Sequence, residues 1–144
     1  MSLNAWLADG RLRRHESSRQ ETQDLLRIVE RDLADAGLRR LSQDRRYATL
    51  YNAALQLATV VLRVSGYRTA GVGHHWLTFQ ALPHLLGLQE QIRADYFDAC
   101  RRKRNTADYD AAGSVSDLET TELHEEVLAF RRDVRVWLES NQPG

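Results

Sequence analysis

Apolar residues recur at intervals of three and four along most of the chain, and that spacing predicts helices. Leu25, Ile28, Val29, Leu33 and Ala36 mark a first amphipathic helix that opens near Ser17 or Ser18 and is closed by Gly37. Ser18 with Glu21 three residues on has the form of a capping box, and a glycine suits a helix C-terminus. A second, longer helix opens at Ser42, followed by the early acid Asp44. Tyr47, Leu50, Tyr51, Ala54, Leu55, Ala58, Val61 and Leu62 give it a wide apolar face over about six turns. Its small-rich middle, Ala53 to Ala58, suits close helix contact. The last long helix carries Leu118, Leu123, Val127, Phe130, Val134, Trp137 and Leu138 behind another capping box, Ser116 with Glu119.

Between these segments the pattern changes. Ser65 to Gly73 holds three glycines and reads as a loop. A short helix is expected from His74 or His75, carrying Trp76, Phe79 and Leu82, with Pro83 ending or kinking it. A further helix runs from about Leu88 through Ile92, Tyr96, Ala99 and Cys100 into the run Arg101-Arg102-Lys103-Arg104, before a turn at Gly113-Ser114-Val115. Asn4 to Arg14 is mixed, and either docks through Trp6 or hangs free. The organisation is therefore a leader (1–15), a single helical domain (16–140) and a tail (141–144). Helices with single apolar stripes must bury them against each other, so the expected fold is all-α, an up-down bundle of four to five helices.

Composition agrees with an ordinary globular chain: 144 residues, 42% hydrophobic and 28% charged. A single domain of this length buries roughly 68% of its unfolded surface. Twenty bases balance twenty acids, so any attraction for nucleic acid must be local. No apolar run approaches the roughly 20 residues that cross a bilayer; Ala53 to Val64 is interrupted by Gln56 and Arg63. There is no secretory signal pattern, and a cytoplasmic location is expected. Cys100, the one cysteine, forms no internal disulfide; it is either a buried inert thiol or one activated by Arg101 and Arg102.

Four consecutive cations in a chain of zero net charge form the most distinctive local feature. On a helix, Arg101 lies under Asn105 and Asn105 under Tyr109, while Arg104 lines up with Asp108. An arginine, an amide and a phenol on one face suit phosphate oxygens and a stacked base. The alternative is a solvated face with Arg104 paired to Asp108.

The long second helix with Tyr51-Asn52-Ala53-Ala54-Leu55-Gln56-Leu57, the Gly66-Tyr67-Arg68 turn, the His74-His75 pair and Arg102-Lys103-Arg104-Asn105-x-x-x-Tyr109 together resemble a HEPN domain, from about Ala5 to Leu138. The similarity is to stand-alone bacterial HEPN proteins. It implies a helical bundle that dimerises through the faces carrying the motif. Active members are metal-independent ribonucleases, often toxins paired with a small nucleotidyltransferase or another antitoxin. Their motif is arginine, a polar residue, three more residues, then histidine. Carried over, Arg104 takes the arginine position and Asn105 the polar one, and Tyr109 stands where the family has histidine. Histidine titrates near 6.5 and serves as a base at neutral pH, whereas tyrosine, near 10, is a poor one. The family tyrosine that partner nucleotidyltransferases adenylylate falls on Ala111 here, so that modification does not carry over.

The remaining histidines are less informative. His74 and His75 precede the short helix and read as packing or capping residues; His84 follows Pro83, and His124 lies on the last helix. No Cys/His/Asp cluster has zinc spacing, and no phosphate-binding glycine loop or serine-hydrolase elbow occurs, so no metal or cofactor is expected. The expected function is binding of RNA or nucleotide at a basic groove of a homodimer. Arg101, Arg102, Lys103 and Arg104 would hold phosphate, with weak metal-independent ribonuclease chemistry at Arg104, Asn105 and Tyr109. The alternative is a non-enzymatic partner module of a nucleotidyltransferase or other toxin–antitoxin component. A surface-only role for the basic residues is the third option.

Overall fold

Why one helix lies at the centre follows from its side chains. A computed structural model of the chain describes residues 2–71, 73–109 and 115–141, with 106–109 described by backbone alone. Helix α3, Gln43–Val64, buries Tyr47, Leu50, Tyr51, Ala53, Ala54, Leu55, Leu57, Ala58, Val60, Val61 and Leu62. These positions go nearly all round the helix axis, and a helix apolar on every side must be enclosed by others. It packs against α2 (Arg19–Ala36), α7 (Asp117–Glu139) and α6 (Gln91–Tyr109), and also against the short α4 (His74–Gln80) and α5 (Leu82–Leu86). Ala53, Ala54 and Ala58 have no exposed surface, so the surrounding helices approach closely there. Among the described residues the fold is all-α, apart from two three-residue strands.

Local sequence sets the helix ends. The side chains of Ser18, Ser42 and Ser116 each accept a hydrogen bond from the backbone N–H three residues on, and Gly37 caps α2. Of these three caps, Ser116 with Glu119 completes a reciprocal capping box. Glu21 instead turns its carboxylate to His15, 2.7 Å from Nε2, tying the N-terminal segment to α2. Pro83 sits in the first turn of α5, where its missing N–H costs nothing, and α4 gives way to α5 across Ala81. Residues Leu88–Glu90 form a 3-10 turn ahead of α6. Of the turn read at Gly113-Ser114-Val115, Gly113 and Ser114 lie outside the described residues, while Val115 is buried.

The stretch from Ser65 to Gly73 departs from a plain loop. Tyr67–Thr69 forms β2, which pairs antiparallel with β1, Leu12–Arg14, in the register Leu12 to Thr69, Arg13 to Arg68 and Arg14 to Tyr67. Residues 1–15 thus hold α1 (Leu3–Ala8) and β1, and the N-terminal segment docks rather than hangs free. Trp6 and Leu12 build a second apolar cluster with Leu62, Leu77 and Ala81. Trp6 meets the rings of Trp76 and His84 edge-on, with centroids 6.2 and 5.3 Å away.

Removing Trp6 should open a cavity in this cluster. Trp6→Ala is expected to lower the unfolding free energy by about 3–5 kcal/mol in urea denaturation. A loss below about 1 kcal/mol would show that the N-terminal segment is not part of the cooperative unit. Trp6→Phe should cost much less, because the buried indole Nε1 has no hydrogen-bond partner among the described residues.

Candidate functional site: a cationic cleft with two imidazoles

Helical spacing on α6 separates the four basic residues. Phe97, Arg101, Arg104 and Asn105 follow one another at i, i+4, i+7 and i+8 and so share a face. Phe97 is fully buried against Phe79 and Phe130, with ring centroids 5.4 Å away in each case. That anchor turns the next positions along the face toward the start of α4. Arg101, Arg104 and Asn105 there line a cleft of about 530 Å³ together with Gly73, His74, His75 and Trp76. Lys103 lies on another side of the helix, with its Nζ 3.4 Å from Glu119 of α7.

The carboxylate of Asp98 anchors Arg101, one of the residues that line this cleft. It is nearly buried and accepts hydrogen bonds from Arg101 Nε at 2.8 Å and from Arg102 Nη1 at 2.6 Å. Charge-assisted bonds of this length are strong, and they fix the orientation of Arg101 while compensating the buried acid. The guanidinium of Arg104 lies over the ring of Tyr51, 5.5 Å from its centroid. An arginine stacked on an aromatic face is held flat by the ring's electron density.

Tyr51 is the junction between core and cleft. Its ring is buried in contact with Phe79, and its hydroxyl lies 2.9 Å from Nδ1 of His75. Burial raises the phenol well above its usual range, against the opposing pull of Arg104 and Arg101, so the hydroxyl stays protonated. His75 moves the other way: burial, then the Arg104 and Arg101 charges and His74, hold its imidazolium below the ordinary value. His75 is therefore neutral at pH 7. When Nδ1 carries the proton it donates to Tyr51 Oη and leaves Nε2 with a lone pair; in the other tautomer the hydroxyl donates to Nδ1. His74, more exposed, has Nδ1 3.1 Å from Thr69 Oγ1 of β2. Neither histidine caps α4. That position belongs to Gly73, whose φ of +76° suits glycine.

The structure thus brings Arg101, Arg104 and Asn105 together and adds His74 and His75, which their position at a helix start had marked as packing or capping residues. It sends Arg102 to Asp98 and Lys103 to Glu119. The backbone of Tyr109 is the last residue of α6, while its side chain, the side chain of Asp108 and Ala111 lie outside the described residues. Cys100 is buried, and burial pushes its thiol up rather than activating it. Among the described residues no group of three or more His, Cys, Asp or Glu could hold a metal ion, and no helix is long and apolar enough to cross a membrane.

Because the unfolded chain binds the His75 proton more readily than the folded one, its contribution to stability is complete above the ordinary value of 6.5. That contribution is lost as pH falls below this value and through the lower folded-state one. In NMR titration of the ring protons, Arg104→Gln should move the His75 midpoint upward toward 6.5. An unchanged midpoint would mean that Arg104 does not act on the imidazole. No protein-family model matches the chain, nor does any curated protein or solved structure.

Proposed function

We propose that the chain is a HEPN-like RNA-binding protein that holds phosphate in the cleft between α4 and α6, and that it is a weak metal-independent ribonuclease. The observation that carries this reading is the convergence of Arg101, Arg104 and Asn105 with His74 and His75 on one open cleft. Two guanidiniums with several N–H donors fit phosphate oxygens, and the amide of Asn105 adds a neutral donor. The family resemblance of Arg104-Asn105 to the ribonuclease motif supports the same assignment and carries with it the proposal of a homodimer.

The chemistry rests on His75 in place of a histidine at position 109. With Nδ1–H donated to Tyr51, Nε2 takes the proton of an RNA 2′-hydroxyl, and that oxygen attacks the adjacent phosphorus. Negative charge growing on the phosphorane is stabilised by Arg101 and Arg104. The bond to the 5′-oxygen breaks, that oxygen takes a proton from water, the hydroxide so formed takes the proton held on His75 Nε2, and a 2′,3′-cyclic phosphate remains. Reliance on water as the acid accounts for weak activity.

Labelled RNA tests both parts. Arg104→Ala should weaken binding at least tenfold at about 0.1 M salt, about 1.4 kcal/mol. His75→Ala should bind RNA nearly as well as the wild type and lose cleavage in the presence of a chelator. Equal binding and cleavage by wild type and Arg104→Ala would refute the reading.

A second reading, a non-enzymatic partner module for a nucleotidyltransferase or other toxin–antitoxin component, is favoured by a different surface. Leu88 and Ile92, four residues apart where the 3-10 turn runs into the start of α6, are both 82% exposed. Neighbouring exposed aliphatics of this kind suit contact with another protein. Here Ile92→Arg should abolish co-purification of the partner or of a second copy without changing RNA affinity. Retained association would remove this reading.

A further inference from the structure

We propose that the β1–β2 ribbon is a second phosphate-binding surface, and that single-stranded RNA held at the cleft continues across it. This rests on the cleft binding RNA and extends that reading to a longer ligand. The antiparallel register sets Arg13 directly opposite Arg68, and both are exposed. Like charges facing each other across a strand pair cost stability, so the arrangement is not explained by folding. Neither arginine has an acidic partner among the described residues. Arg11, by contrast, is bound to Asp9 at 2.9 Å, so the ribbon leaves a specific pair of guanidiniums uncompensated.

The ribbon is also built to hold that pair in place. Strand alternation sends Leu12 to the opposite face, where it is buried in the second apolar cluster, and so directs Arg13 and Arg68 outward. At the neighbouring pair, Arg14 lies over the ring of Tyr67, 5.1 Å from its centroid. β2 also borders the cleft: Thr69, next to Arg68 in the chain but on the face it shares with Leu12, touches His74, which lines the cleft. A strand leaving the cleft therefore reaches Arg68 by passing over the edge of the ribbon. Phosphodiester oxygens are acceptors that match paired guanidiniums. The strand must be unpaired, because the 2′-hydroxyl can line up to attack its adjacent phosphorus only where the backbone is free to rotate.

The full-length Arg13→Gln/Arg68→Gln variant tests this with two probes, an unstructured RNA of roughly 20 nucleotides and an RNA dinucleotide. Affinity for the long RNA should fall by roughly tenfold. The slope of log affinity against log salt should shrink by about 1.4, which is about 0.7 for each of two phosphates. Dinucleotide affinity should stay the same, and the melting midpoint should not drop, since a repulsive pair is removed. Unchanged long-RNA affinity and salt slope, with dinucleotide binding intact, would overturn the ribbon assignment and leave the cleft standing. A wild-type protein that binds neither RNA would overturn both. If a polyglutamate peptide displaces the long RNA from the wild type at equal charge concentration, the ribbon is a surface for acidic protein and the RNA assignment falls.

Discussion

Tyr51 carries the constraint on which the cleft depends. It stands on the one helix that the others enclose, with its ring in the apolar core and its hydroxyl at the boundary. From that position a single side chain does three things: it packs on Phe79, holds His75 by Nδ1, and lies beneath the Arg104 guanidinium. The core therefore sets the orientation of an imidazole and an arginine that come from two different helices. A site built this way is rigid because the residues holding it are rigid, which is what recognition of a charged ligand requires. It also couples the two groups electrically, since Arg104 is among the charges that keep His75 neutral.

Burial and charge divide the basic run into separate tasks. Asp98 is nearly buried, and an uncompensated carboxylate there would be costly, so Arg101 and Arg102 both satisfy it. Arg101 nevertheless reaches the cleft, whereas Lys103 is turned to α7 and Glu119. Four adjacent cations thus amount to much less than four free charges. What remains directed at the cleft is a pair of guanidiniums backed by aromatic and apolar side chains, and a neutral base beside them.

Much of this fold was legible in the sequence because it rests on periodicity and capping. The three-four spacing from Tyr47 to Leu62 and from Leu118 to Leu138, and the serines at 18, 42 and 116, correspond to the observed helices and their starts. Arg101 under Asn105 was legible for the same reason. The ribbon was not, since three-residue strands far apart in sequence leave no alternation to detect and glycine-rich surroundings read as a loop. His75 was hidden differently. Nothing local distinguishes a histidine that packs at a helix start from one aimed at a distant arginine; the difference lies in Tyr51, a residue whose spacing places it in the core. Only tertiary packing joins positions 51, 75 and 104.

A dinucleotide titration followed by NMR would probe the cleft at the level of single residues. Adding an RNA dinucleotide to the full chain should shift the resonances of Arg101, Arg104, Asn105 and the His75 ring in a saturable way. Residues lining the opposite side of α6, such as Lys103 and Tyr96, should not respond. Saturable shifts confined to that opposite side, or none at millimolar dinucleotide, would contradict a phosphate-binding cleft between α4 and α6.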